Sequence, residues 1–448
     1  MPARVWSTAF INQLIIGLII LAPPLEVLVG GRSLYGEDPF NDLQDDHAVF
    51  LLRSATILIV VLSSLVILMC LVERRRAESG IGVMVGFVAF FVTNVLLCVP
   101  FGAGAFIDRS HFYPLLVFLA FYLSSEDGSD GLIDAAKWCL LVMMVASLIC
   151  GILMPEVTRR VYEPEVRLPF IDFRFWGLGE HANAIAPLGL LQVLLTLYRP
   201  FNSRALTVIS LVAGFLIALL AQSQTVWVIG LVALAGYVFY RNQPAGLRLL
   251  RAAATPIIVA PTIVLTFVAL VAVGVSTWQD AQTPGSGAGN VSETMLTGRG
   301  DAWNAAIDTF WHHPIFGYGL LAWDREFREN VHLPWAVHAH NQLLQSLSVA
   351  GIVGAFGLVL YVGILIRASV AAATATRWLA PAILLIILVR TFTEVPLNLG
   401  AVLVGDTIAH LLLFRLVTAP RPLAAVDAAP AVFARNWQSS EDRPVSVE

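Results

Sequence analysis

Apolar residues run along this chain in long blocks, at about 8–29, 48–72, 81–100, 105–124, 138–154, 182–198, 205–221, 224–240, 255–276, 343–366, 378–394 and 400–416. Most blocks are close to the roughly 20 residues that cross the hydrocarbon core of a bilayer as a helix. Lipid offers a backbone no hydrogen-bond partner, so such blocks must satisfy their own amides and carbonyls as helices. The pattern predicts an all-α integral membrane protein with about 12 transmembrane helices and both termini on one side. The first block is longer than a signal-peptide core and reads as a retained helix.

Polar positions break the pattern at two places larger than a turn, 155–182 and 277–339. The second begins with the flexible TPGSGAGN at 283–290, which has nothing to bury. It then turns periodic, with Trp303, Ile307, Phe310 and Trp311 at i, i+4, i+7 and i+8. That spacing predicts a short amphipathic helix on the membrane surface, starting near Asp301 and stopping before Pro314. Residues 1–418 thus read as one polytopic domain, and 419–448, rich in Pro, Ala and polar residues, as a disordered tail. No internal repeat is visible.

Charge then orients the helices. Arg74, Arg75 and Arg76; Lys137, the sole lysine; Arg199 and Arg204; Arg241, Arg248 and Arg251; and Arg367 and Arg377 alternate onto one face, with Arg4, Arg421, Arg435 and Arg443. By the positive-inside tendency that face is cytoplasmic. The termini are then cytoplasmic, the two large loops periplasmic, and the expected location is a bacterial inner membrane. The acidic stretch 124–137 runs against the trend, and the tight hairpin at 222–225 is where two spans are easiest to miscount. Composition agrees: 58% of residues are hydrophobic and 13% charged, more apolar surface than a soluble fold can hide. Cys70, Cys98, Cys139 and Cys150 lie inside apolar blocks without ligand spacing, so they read as packing residues and imply no metal site.

Ionisable residues gather at the non-cytoplasmic boundary. His338 and His340 stand where the larger loop re-enters the membrane, ahead of a helix with Gly351 and Gly354, which would let a neighbouring helix come close. A histidine there is either a proton acceptor or a hydrogen-bonding anchor. Arg174 lies late in the first loop, before Asn183, and Arg299 between two glycines. A guanidinium fork suits phosphate oxygens, although either arginine alone reads as readily as a salt-bridge partner. Arg390 and Glu394, four apart, predict an ion pair on one helix face, as latch or as site wall. Arg53 reads as snorkelling to the interface. Three patterns carry nothing: Arg299-Gly300-Asp301 as an adhesion tripeptide, Asn290-Val291-Ser292 as a glycosylation acceptor and Gly177-Leu178-Gly179 as a nucleotide fingerprint. There is no phosphate-binding loop signature and no basic nucleic-acid surface.

Taken together these loops resemble the O-antigen ligase and polymerase superfamily of bacterial envelope glycosyltransferases. The resemblance rests on His340-Asn341 followed after nine residues by Gly351 and after two more by Gly354. It also rests on Arg299 to Trp303 with His313-Pro314 and Gly317-Tyr318-Gly319, and on Arg174, Gly177, Asn183 and Ala184. Family members often carry Ser-Arg at the hairpin where this chain has Ser223-Gln224. The resemblance implies a class C glycosyltransferase-like helical fold and metal-independent transfer from a polyprenyl-diphosphate-linked oligosaccharide, without a cofactor. It implies His340, Arg299 and Arg174 as catalytic; Asn341, Trp303 and Asn183 within the matching segments, with His338, Arg390 and Glu394 from the same boundary, are the expected substrate-binding residues. The expected acceptor is a glycan, giving a polymerase of O-antigen or exopolysaccharide, or lipid A-core, giving a ligase. Membrane lipids and chain-length regulator or export proteins are the further expected partners. A secondary transporter fits the helix count, but it predicts inverted repeats and a midplane site, and neither is seen in the sequence.

Overall fold

The computed structural model describes residues 7–35, 46–75, 79–104, 106–161, 168, 170–242 and 299–419. Their helices, in chain order, are α1 (Thr8–Val29), α2 (Asp46–Val72), α3 (Ile81–Phe101, π-helical over Val92–Leu96), α4 (Tyr113–Leu123), α5 (Asp130–Leu153), α6 (Ala182–Tyr198), α7 (Arg204–Leu220) and α8 (Gln224–Asn242). After the gap come α9 (Arg299–His312), α10 (Arg325–Asn330), α11 (Gln342–Ala372), α12 (Leu379–Arg390) and α13 (Gly405–Thr418). Eleven of the expected apolar blocks therefore coincide with a helix. The ninth block, the segment 283–290 and the tail beyond 419 lie outside the described residues. Among the described residues five helices (α1, α2, α3, α5 and α11) are long and apolar enough to cross a membrane, and α6, α7, α8 and α12 are apolar but shorter.

Apolarity does not separate the centre of this bundle from its rim, because lipid and a packed interior accept the same side chains. Every residue of α12 is buried, as are those of α13 from Thr407 to Thr418. Helix α2, although strongly apolar, exposes Phe50, Ile57, Leu58, Val61, Leu68 and Val72 on its outer face. The polar side chains of α13 turn inward instead. His410 meets the Tyr361 hydroxyl of α11 at 2.7 Å within a cage of Phe87, Phe118 and Phe414.

One end of the bundle gathers the basic residues expected on the cytoplasmic face. Arg75 binds Asp127 at 2.6 Å and the Thr8 hydroxyl at 3.1 Å, and Arg415 reaches the Phe121 and Gly128 carbonyls. Lys137 and Arg199 both hold Asp134, and Arg199 also holds Asp130. The acidic stretch that ran against the charge trend is thus the counter-ion set for its own basic neighbours.

The amphipathic helix of the second loop forms, as α9. Ala302, Ala306 and Thr309 are the buried positions and α9 packs on α11 through that side, whereas Ile307 and Trp311 are exposed. The small residues win because they let two backbones approach closely.

Candidate active site

The site lies at the end of the bundle opposite the basic cluster, where α6, α9, α11 and α12 present their termini. Its scaffold is a deliberate break in α11. Gly351 adopts φ 64° and ψ −157°, a region essentially restricted to glycine, so two helical stretches meet at a kink. The kink frees backbone groups that the preceding loop takes up. Ile352 and Val353 donate to the Pro314 and Ile315 carbonyls, while Tyr318 and Gly319 donate to Ser348 and Val349. Gly317, at φ 73°, passes so close that a Cβ would sit 2.3 Å from the Val349 oxygen. The loop 313–319 is thus stitched into the kink, and Gly351 serves the bend. Gly354 does serve close approach: its carbonyl accepts from Asn94 of the π-helical stretch at 2.9 Å.

Three residues of the expected set sit at the start of α11. Asn341 is the N-cap, its side chain accepting from the Leu343 and Leu344 amides at 3.0 and 3.1 Å. That engagement occupies its side-chain oxygen. His340 precedes it at φ 47°, held off the helix path. His338 accepts the His340 amide on Nδ1 at 3.1 Å, so its proton sits on Nε2.

Glu394 joins the remaining residues. Its Oε1 accepts from Arg299 at 2.9 Å and from Asn183 Nδ2 at 3.1 Å. Its Oε2 faces His340 Nδ1 at 3.2 Å and His338 Nε2 at 3.8 Å. Asn183 passes the link on, its Oδ1 accepting from Arg174 Nη2 at 2.6 Å. Arg174, Arg299 and His340, distant in sequence, therefore converge on one carboxylate and one amide. Burial alone would raise the Glu394 carboxyl, but the hydrogen bond with His340 and the charges of Arg299 and Arg390 outweigh it, holding the group well below the usual carboxylate range. Burial, then the neighbouring His340 ring, pushes His338 down to about 4.

The expected Arg390–Glu394 ion pair is not made. Helix α12 stops at Arg390 because Thr391 gives its carbonyl to the Gln342 amide and the chain turns, with Gln342 Oε1 then accepting from Leu397. The Glu394 amide still closes a last turn on the Arg390 carbonyl at 2.7 Å, but its carboxylate is taken by Arg299, Asn183 and His340. Arg390 binds Asp406 at 2.9 Å and the Asn183 carbonyl instead, so it braces the site from behind. Trp303 lies on α9 one turn from Arg299, its indole N–H buried and without an acceptor among the described residues.

Several neighbours were not singled out in the sequence. The first loop folds as a two-stranded ribbon, Arg159–Arg160 against Arg174–Phe175, placing Arg160 directly opposite Arg174. Arg174 also donates to the Ala221 carbonyl at 3.0 Å, next to the Ser223-Gln224 hairpin. Arg32, 2% exposed, donates to the carbonyls of Val157, Gly177 and Gly179 at 2.7–3.1 Å and clips the turn that leads into Asn183. Adjacent arginines in an exported loop were the available signal for Arg160, while Arg32 resembled only a span boundary.

His338, His340 and Glu394 place one nitrogen or oxygen each within 4.8 Å of one another, the spacing of a three-ligand metal site. The chemistry fits poorly. His338 would have to offer the Nε2 that carries its proton while Nδ1 accepts from the backbone, and Arg299 already neutralises the carboxylate.

No curated protein matches the chain. A family model described as O-Antigen ligase matches residues 209–359. The matched segment contains Arg299, Trp303, His338, His340 and Asn341, and ends before Arg390 and Glu394. That similarity covers about a third of the chain and agrees with the resemblance of its motifs to the O-antigen ligase and polymerase superfamily.

Proposed function

We propose that this protein is a metal-independent glycosyltransferase at the periplasmic face of the bacterial inner membrane, moving a glycan from a polyprenyl-diphosphate carrier onto a sugar hydroxyl. Polymerisation of O-antigen or exopolysaccharide repeat units is the favoured reaction. The single observation that carries the reading is Glu394, because one carboxylate ties an anion-binding half to a proton-accepting half.

On one side, Arg299 gives one nitrogen to Glu394 and keeps its other donors for phosphate oxygens. Arg174, held by the Ala221 carbonyl and Asn183, adds a second positive charge beside it. Together they stabilise the charge that grows on the diphosphate as it leaves. On the other side, the carboxylate holds the proton of His340 on Nδ1, leaving the Nε2 lone pair for the acceptor. The acceptor O–H gives its proton to Nε2, the oxygen bonds to the anomeric carbon, and the bond to the diphosphate breaks with its electron pair leaving on the carrier. The buried indole N–H of Trp303 suits a substrate oxygen.

His340→Ala and Arg299→Ala variants, shown to be inserted and folded, are expected to lose transfer by about a hundredfold or more. Full glycan transfer by both would overturn the assignment. Metal independence is tested separately: activity should survive exhaustive chelation, whereas loss restored by a divalent cation would assign an ion to His338, His340 and Glu394.

Transfer to lipid A-core is the second reading, favoured by the description of the matching family. Single-unit glycan in a deletion strain identifies a polymerase, and unattached long chains identify a ligase.

A further inference from the structure

Trp335 is a large exposed aromatic beside the site, on a segment anchored by the buried Leu333 and Ala336 and with Pro334 and Val337 also exposed. The segment before His338 packs through a small core of its own, with Phe327, Leu333, Ala336 and Ala339 turned in beside Ala302 and Ala306 of α9. Arg328 fixes it from outside the membrane spans, its side chain donating to the Pro334 carbonyl at 2.7 Å and its own carbonyl accepting from Leu333 at 2.8 Å. The Ala339 amide is held by Gln345 at 2.8 Å. The indole is therefore set on a rigid support, yet it is 43% exposed. Trp323 of the same core shows the contrast: it is 5% exposed and its N–H is satisfied by Ser348 at 3.1 Å.

The Trp335 ring lies 6.1 Å from the His340 ring, centroid to centroid, with the planes 31° apart. It is thus on the imidazole side of Glu394, away from the side that Arg299 and Asn183 occupy. An aromatic face carries negative charge density and attracts polarised C–H groups, which one face of a pyranose ring presents in a row. We infer that Trp335 is a stacking platform for a sugar ring of the acceptor glycan, setting the acceptor hydroxyl over His340. The inference rests on the proposed transfer reaction and adds to it the element that grips the acceptor.

The test uses the full chain in nanodiscs, donor lipid extracted from cells lacking it, and repeat-unit or core oligosaccharide as the titrated acceptor. Trp335→Ala should raise the acceptor KM by about tenfold, the worth of a good aromatic stack. The donor KM and kcat should change by less than about twofold, and Trp335→Phe should restore most of the loss. An unchanged acceptor KM overturns the inference, as does an equal rise in donor and acceptor KM, or a phenylalanine variant as impaired as alanine. Quenching of Trp335 fluorescence by brominated lipid, together with an unchanged acceptor KM, would make it a membrane-interface anchor. The His340→Ala and Arg299→Ala controls keep the failures apart. If they abolish transfer while Trp335→Ala leaves the acceptor KM alone, only this inference falls; if they retain transfer, the reaction assignment falls and takes this with it.

Discussion

Glutamine in place of Glu394 leaves a folded protein that transfers glycan at least about a hundredfold more slowly, the loss expected when a general base is disabled. The side-chain shape survives, so the amide oxygen can still accept from Arg299 and Asn183. The other end of the amide is an N–H donor facing His340 Nδ1, where a carboxylate oxygen now sits 3.2 Å away. That contact turns Nδ1 into an acceptor, moves the imidazole proton to Nε2 and leaves no lone pair for the acceptor hydroxyl. Swapping the carboxylate of a catalytic dyad for an amide is known to act by this change of tautomer. Stability falls as well, by about 3–5 kcal/mol if the Arg299 charge stays enclosed without its counter-ion.

The pH dependence carries a sign. The Glu394 carboxyl titrates well below its ordinary range in the folded protein, so its contribution to stability is full above the unfolded-state value and is lost only as pH falls through the lowered one. The stability deficit of the glutamine variant should therefore be undiminished at neutral and mildly acidic pH and should close only in strong acid. Single-turnover transfer and thermal unfolding across pH measure both effects. Near-normal transfer by this variant would remove Glu394 from the mechanism.

Gly351→Ala is the second large effect, and it acts through the backbone. The φ and ψ of Gly351 cost a side-chain-bearing residue about 1–3 kcal/mol, and a Cβ would lie 2.4 Å from the Ile315 oxygen. Relief requires straightening α11, which withdraws Ser348, Val349, Ile352 and Val353 from their bonds to the loop 313–319. We expect a loss of about 3 kcal/mol or more, low yield of folded protein and no transfer. Gly363→Ala, on the same helix with open space at the Cβ position, should be close to neutral. Equal thermal stability of the two variants would show that the kink is dispensable.

How far the sequence could be read depended on the kind of signal. Block length and lipid physics located helices such as α1, α2 and α6 closely, because a bilayer leaves the backbone few choices. Charge counting brought Arg75 and Lys137 to one end, where the structure pairs them with Asp127 and Asp134. The convergence of Arg174, Arg299 and His340 was expected from a motif resemblance. The carboxylate that joins them was read as a partner of Arg390, since i, i+4 spacing assumes a helix that continues. Pro396 hinted otherwise, because the residue before a proline avoids helical geometry. Asn341 was taken for a ligand contact although asparagine ahead of an apolar run is also a helix cap. Burial was the least legible property: α12 and α2 have similar apolar character, and only packing says that one is central and the other peripheral.

The clasp made by Arg32 has a consequence for the setting in which such a site works. Its hydrogen-bond partners are peptide oxygens of Val157, Gly177, Gly179 and Glu180, groups with no proton to gain or lose. An envelope compartment takes its acidity and salinity from the surroundings, and surface ion pairs weaken as either changes. Those amide acceptors stay in place through such swings, so what acidity changes at this turn is the field from the Glu26 and Glu180 carboxylates, while the hydrogen bonds that shape the turn before Asn183 remain.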